Sequence, residues 1–393
     1  MNHRRVAVTG LGVLAACGVG QEDFFAGLLR PPPGGLRAVA GFDPTPHFAN
    51  AKEMRRHDRF TQFALACAAE ALEQAGDLDP DPDRVGVWIG TGVGGLMSIE
   101  NHVLWHFVKG AKRVTPFLIP MMMANAAAAA VSMRYGYQGP CEVTSTACAS
   151  GTQSIGNAAE LIRHGRCDVM LAGGSECSSS PTGLQGFANM TALSRVGVSR
   201  PFDRDRDGFM HAEGCGVLVL EELEHARARG AEVLAEVTGY ASTADAYHIT
   251  APAPGGAGAV SCMARAVADA GLAPSDIVHI NAHGTSTPLN DANEAEAIHK
   301  VFGSPGPLVT STKGVTGHAL GAAGAVEAAA IVLSMQRSVL PPTAGYENPD
   351  PDMAPIRILA PDPCEWEPGP SLSNSFGFGG HNGCLVIGPP PAG

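Results

Sequence analysis

The sequence predicts an α/β fold made of two related halves, and three observations carry that prediction. Short β-rich runs alternate with alanine-rich stretches whose apolar residues recur at helical spacing, the pattern of layered α/β structures. Several of those helical stretches are apolar nearly all round, which places them inside the layers and not on a surface. The third observation is a repeated grammar. "VTSTACASGTQSIGNAAELI" (143–162) reads as strand, turn and small-residue helix, and "LVTSTKGVTGHALGAAGAVEAAAIVL" (308–333) reads the same way later in the chain. Each half then closes on a similar strand, "EGCGVLVLEE" and "GHNGCLVIG", which divides the chain into 1–234 and 235–393.

The elements follow in order. "RRVAVTGLGVL" (4–14) is a first strand, although Arg4, Arg5 and the later "LAAC" mimic a lipoprotein export signal. Gly10 and Gly12 interrupt the apolar run, and the flanks fit a signal poorly. A helix over 59–76 and a strand over 84–92 come next. A helix over 152–165 follows the Cys148 turn, and strands over 168–176 and 213–222 complete the first half. The second half reads as strand 231–241, helix 260–271, strand 276–284, helix 291–303, strand 308–314, helix 322–336 and strand 380–388.

Composition narrows the function. Only 16% of residues are charged against 45% hydrophobic, so much surface is buried, part of it in an oligomer interface. A net charge of −12 argues against general nucleic-acid binding and leaves room only for a local basic patch facing an acidic partner. No apolar run has the length of a membrane span. The ten cysteines are scattered singly, with no C-x-x-C pair and no zinc-like spacing, which implies reduced thiols in a cytoplasmic protein and no metal.

One of those cysteines stands apart. Cys148 lies between small residues, after a β-branched run that predicts a strand ending near Thr146 and before a helix that starts near the cysteine. Free N–H groups and the helix dipole at that position favour thiolate. Ala147, Ala149, Ser150 and Gly151 leave room for a bulky substrate, so the site suits acyl transfer as well as it suits a buried structural cysteine. Three other stretches weigh on that choice. "INAHGTSTPLND" places His283 after a β-run, "TSTKGVTGHALGAAGAVEAAA" places Lys313 and His318 at a second strand-to-helix turn, and "SNSFGFGGHNG" is a glycine-dense loop with two aromatics. The chain has five lysines, and Lys313 sits among Gly, Thr and Ala, an uncommon setting for a surface lysine.

"TACASG", "AHGTSTPLND", "STKGVTGHALGAAGAVE" and "NSFGFGGHN", in this order, resemble the signature set of the β-ketoacyl-ACP synthases, the elongating condensing enzymes of the thiolase superfamily. "SRPFDRDRDGFMHAEGCG" and "DAYHITAPAP" match as well, so the resemblance spans nearly the whole chain. It implies a thiolase-like five-layer αβαβα fold of two duplicated halves, usually a homodimer. It makes Cys148 the acyl-accepting nucleophile and His283 and His318 the two active-site histidines, with Lys313 and Glu327 a buried charged pair beside them. It assigns the oxyanion hole to the backbone of Cys148 and Phe378, with Phe378 also the gate to the acyl pocket, and it places Ile99 at the deep end of that pocket. Met121 to Met123 are further lining candidates, with dimer-core packing an equal reading. Thr250, Thr285 and Thr287 match positions that bind the phosphopantetheine arm. Lys52, Arg55, Arg56, Arg204 and Arg206 are candidates for docking an acidic acyl carrier protein.

The implied reaction is decarboxylating condensation of acyl-ACP with malonyl-ACP, in fatty-acid elongation, with no cofactor beyond the pantetheine on the carrier. A type II polyketide ketosynthase paired with a homologous chain-length factor shares that chemistry. A non-catalytic, cavity-shaping partner subunit would lack the nucleophile, and a Cys/His hydrolase leaves His318, Lys313 and the "GFGG" loop without a role.

Overall fold

The computed structural model describes residues 4–78 and 81–391. In the first half, strand β1 (Val6–Ala15) leads to helix α1 (Arg59–Ala75), strand β2 (Val85–Gly90), helices α2 (Leu96–Lys109) and α3 (Ala126–Tyr135), and strand β3 (Cys141–Glu142). Helix α4 (Ser150–Arg163), strand β4 (Val169–Glu176), helix α5 (Pro181–Asn189) and strand β5 (Gly214–Glu222) complete it. The second half starts with strand β6 (Ala235–Ala244), helix α6 (Ala257–Asp269), strand β7 (His279–Asn281), helix α7 (Pro288–Phe302) and strand β8 (Leu308–Thr310). Helix α8 (Ala323–Arg337) and strands β9 (Arg357–Ile358), β10 (Ser371–Gly377) and β11 (His381–Gly388) follow.

Strand pairing repeats between the halves. β1 pairs antiparallel with β5, β5 antiparallel with β4, β4 parallel with β2, and β2 parallel with β3. In the same order and sense, β6 pairs with β11, β11 with β10, β10 with β7, and β7 with β8. The two runs meet edge to edge where Ala7 and Val8 of β1 oppose Glu236 and Ala235 of β6. The first strand, buried at all ten positions, is a core element of the fold.

Alternating side chains sort the molecule into five layers. Inward residues of β1, β5, β6 and β11, among them Val13, Leu218, Val237 and Leu385, face a middle layer of α4 and α8. Opposite faces of β4 and β5 carry Leu171 and Val219 against Phe63 and Ala71 of α1. On the far side, Leu372 and Val386 meet Met263 and Val267 of α6. The apolar-all-round sequence of α8 is explained by this placement, since every residue from Ala323 to Met335 is buried. Close approach requires small residues. A Cβ on Gly216 of β5 would lie 2.6 Å from the Ala325 backbone of α8.

Both central helices begin in the same way. A 3₁₀ turn, Ala147–Ala149, precedes α4, and another, Leu320–Ala322, precedes α8. Each turn opens on a non-glycine residue with positive φ, 51° at Ala147 and 42° at Leu320. Such backbone costs about 1–3 kcal/mol and persists where surrounding structure fixes it. The two turns lie side by side, bringing the Cys148 and His318 segments together. Among the described residues no helix is long and apolar enough to cross a membrane.

Candidate active site

The approach to Cys148 differs from the sequence expectation. β3 covers only Cys141–Glu142, so the run over 143–146 belongs to no strand. Cys148 sits in the 3₁₀ turn and α4 starts at Ser150. The Ser150 side chain locks the turn, with its Oγ accepting from Thr146 N at 2.9 Å and donating to Ala147 O at 2.7 Å.

Three groups converge at the sulfur. His318 Nε2 lies 3.0 Å from Cys148 Sγ. The His283 and His318 rings are edge to face with centroids 5.3 Å apart, and ligand atoms of all three residues fall within 4.8 Å of one another. Burial pulls both imidazoles well below the ordinary histidine value, and the Lys313 charge pulls the same way, so both are neutral near pH 7. Neither Nδ1 has a partner among the described residues. An unpaired lone pair is tolerated better than an unpaired N–H, which favours keeping each proton on Nε2, toward the cavity.

The electrostatic expectation for Cys148 is corrected by its burial. Cys148 is 6% exposed, and desolvation pushes its pKa up to about 12, outweighing the opposing pull of Lys313 and of the Phe378 N–H that donates to it. The resting group is therefore a thiol, and its proton must leave as it attacks. The Phe378 loop is pinned against the cysteine turn through Gly377, where a Cβ would lie 2.8 Å from Thr146 O and 3.0 Å from Cys148 N. Gly379 and Gly380 follow with φ of 84° and 73°, a conformation side chains rarely adopt.

Lys313 and Glu327 form a buried ion pair, each 1% exposed, joining the start of the His318 turn to α8. Burial holds the Glu327 carboxyl up at about 7 despite the ammonium beside it. Removing one partner of such a pair costs roughly 3–5 kcal/mol because the other charge is left alone.

The cavity at Cys148 measures about 350 Å³ and is lined by His283, His318, Phe209, Phe187, Phe376 and Phe378 among others. Thr250, Thr285 and Thr287 line it too, and the hydroxyls of Thr285 and Thr287 lie 2.8 Å apart. Ile99 and Met121 to Met123 are not among the lining residues. Ile99 is half-buried on α2, Met121 is buried and Met123 is exposed. Lys52, Arg55, Arg56 and Arg204 are exposed, with Arg56 stacked over the Phe117 ring at 4.5 Å. Arg206 departs from the docking expectation. It is buried, pairs with Asp350 at 2.7 Å and donates to the carbonyls of Asp203 and Pro288, so its charge is already committed.

Several supporting residues escaped the sequence reading. Glu294 accepts from the backbone N–H groups of His283 and Gly284, both at 2.8 Å, and Asn374 donates to it at 3.1 Å. Asp291 accepts from Ser286 N and Phe202 N. The three-residue spacing of Asp291 and Glu294 on one helix face was a signal for this. Glu176, wholly buried, accepts from Gly92 N at 2.6 Å and Gly321 N at 3.2 Å, tying the loop after β2 to the turn after His318.

Burial pushes the Glu176 carboxyl up to about 7, which has a measurable consequence. Between about pH 4.5 and 7 the folded protein holds a proton that the unfolded chain has lost, so stability falls as pH rises through that window. Glu294 and Glu327 act in the same direction. Glu176→Gln is expected to remove up to roughly 3 kcal/mol of that decline. Urea unfolding at pH 5 and pH 8 checks it, and equal declines in variant and wild type would refute the assignment.

A buried thiol against two neutral imidazoles, at the meeting of two duplicated α/β halves, defines a thiolase-like fold with a cysteine–histidine site suited to acyl transfer. Comparison with known proteins gives the family. The β-ketoacyl synthase N-terminal domain matches residues 30–226 and the C-terminal domain residues 234–347. The chain is 41% identical to the 3-oxoacyl-(acyl-carrier-protein) synthase 2 of Synechocystis, over 98% of both chains. It is equally identical, at the same coverage, to that of Staphylococcus aureus N315. Among solved structures it superposes on the ishigamide ketosynthase/chain length factor with a TM-score of 0.92 at 32% identity, covering 99% of this chain and 100% of that one. A β-ketoacyl synthase from Burkholderia phymatum gives 0.91 at the same identity and coverage. A type II polyketide ketosynthase, AntDE with its acyl carrier protein AntF, gives 0.88 at 33%, again covering 99% and 100%. The chain belongs to the β-ketoacyl synthase family.

Proposed function

We propose that this protein condenses acyl-ACP with malonyl-ACP to give 3-oxoacyl-ACP, CO2 and free ACP, in fatty-acid elongation. The observation that carries the reading is His318 Nε2 at 3.0 Å from Cys148 Sγ, with His283 against it in one cavity. In the first half-reaction the sulfur attacks the acyl thioester while the His318 Nε2–H donates to it and stabilises the charge that develops as its proton leaves. The tetrahedral oxyanion is held by the N–H groups of Cys148 and Phe378, and the proton shed by the cysteine thiol ends on the departing pantetheine sulfur. In the second, the malonyl group loses CO2, and the enolate oxygen is met by Nε2–H donors of His283 and His318. The enolate carbon attacks the acyl-cysteine, and the Cys148 thiolate leaves and is reprotonated.

Thr250, Thr285 and Thr287 offer hydroxyls to the pantetheine amides along the same cavity. Phe378, between glycines, is the gate to the acyl chain. Lys52, Arg55, Arg56 and Arg204 form the proposed docking face for an acidic carrier. The chemistry asks for no metal or diffusible cofactor, and ten free cysteines suit a cytoplasmic setting. A second reading is a polyketide ketosynthase working beside a chain-length factor, favoured by the structural likeness to such pairs. The test supplies acyl-ACP and malonyl-ACP to the protein alone and follows 3-oxoacyl-ACP by mass. Product formed by the isolated protein supports autonomous elongation. Product that forms only when a homologous subunit is added supports the second reading, and none in either case overturns both.

A further inference from the structure

Arg37 is among the largest fully buried side chains of the protein, 2% exposed, yet no carboxylate of the described residues pairs with it and its Nη2 has no partner. A buried guanidinium without a counter-charge is a liability to stability, and an apolar side chain of similar length would avoid it. Its hydrogen bonds show what the arginine does instead. Nη1 donates to Gly35 O at 2.7 Å, and Nε donates to Val315 O at 3.1 Å, inside the turn that runs from Lys313 to His318. The stem packs beneath Gly317, the residue before His318. Gly317 has φ of 70°, and a Cβ there would lie 2.6 Å from Arg37 Cγ.

The Arg37 backbone reaches the same turn by a second route. Arg37 N donates to His211 O at 3.1 Å and Glu213 N donates to Arg37 O at 3.0 Å. From the other edge of that segment, Ala212 N donates to His318 O at 3.0 Å and His318 N donates to Met210 O at 2.7 Å. Residues 210–213 are thus held between Arg37 and His318, while the guanidinium spans to Val315 and closes the frame. We propose that Arg37 is a positioning residue, which sets the His318 imidazole at hydrogen-bonding distance from the Cys148 sulfur. Methionine at this position would keep the stem and lose the bond to Val315. Lysine would keep a single donor.

The kinetic consequence rests on the condensing reading above, but the sulfur–imidazole contact does not, so the experiment reads both. Full-length wild type, Arg37→Met, Arg37→Lys and His318→Ala are alkylated with iodoacetamide at pH 7, and labelling at Cys148 is followed by peptide mass. The His318 Nε2–H stabilises the charge on this buried sulfur as the thiol loses its proton, so Arg37→Met is expected to label about tenfold more slowly than wild type, approaching His318→Ala. Arg37→Lys is expected to recover to within about threefold, because one donor still reaches Val315. The melting temperature of Arg37→Met should be no lower than that of wild type, since an unpaired buried charge has been removed. In the condensation assay, kcat should fall in Arg37→Met while KM for malonyl-ACP holds. Labelling of Arg37→Met at the wild-type rate overturns the proposal. So does a slow rate that lysine fails to rescue and that comes with a lower melting temperature, which marks a purely structural role. A wild type that condenses nothing refutes the condensing function, while the alkylation series still decides the role of Arg37.

Discussion

Replacing Cys148 with alanine is expected to abolish acyl loading, leaving no mass increment after incubation with any acyl-ACP and condensation reduced by more than about 10³-fold. The magnitude follows from the geometry of the cavity. Ten cysteines are free, but Cys148 is the one that lines the cavity with both imidazoles, and no other thiol can take over. The variant should fold normally, since alanine fits a site already flanked by Ala147 and Ala149. It should also keep releasing CO2 from malonyl-ACP, because the histidines that meet the enolate remain. Uncoupled acetyl-ACP would then accumulate in place of 3-oxoacyl-ACP. Intact-protein mass and CO2 release measured on one sample check both statements. An acyl increment that survives the substitution would show that the nucleophile lies elsewhere.

The second large effect separates the two histidines. His283→Ala is expected to leave Cys148 acylation within about tenfold of wild type and to lower decarboxylation about 10²–10³-fold, the size associated with losing one oxyanion donor. His318, not His283, makes the 3.0 Å contact with the sulfur. His283 is held through its backbone by Glu294 and faces the cavity, where the enolate oxygen would form. Single-turnover loading and CO2 release from the pre-acylated enzyme distinguish the half-reactions. Equal losses in both would mean that His283 also serves the first step.

Much of this architecture was legible in the sequence because the fold writes itself in short, repeated patterns. The all-round apolarity over 322–336 reflects a helix with both faces covered, and the repeated strand–turn–helix grammar corresponds to the two runs of strands that pair in identical order. Cys148, His283, His318 and Lys313 stood out because small residues surround them in strand-to-helix turns and loops, whereas Glu327 entered only through the family resemblance. What escaped the sequence depends on distance between remote segments. Nothing local to Glu294 says that its carboxylate caps the His283 loop, and nothing local to Arg206 says that Asp350 waits 144 residues away. The thiolate expectation failed for a related reason. Helix position is visible in sequence, but the depth of burial that outweighs it comes from Phe378, α8 and the His318 turn together.

Helix α8, buried from Ala323 to Met335, has a consequence for how such a protein can change. It is coded in the second half, yet its inward faces are shared with strands of both halves, and Gly216 of the first half is shaped around Ala325. Neither half can therefore reach its native core while the other is missing. The cysteine side and the histidine side are inseparable in inheritance as well as in catalysis. Exchanging either half for that of a relative succeeds only where the two central helices were already matched, so new specificities arise at the cavity rim and the Phe378 loop sooner than by recombination of halves.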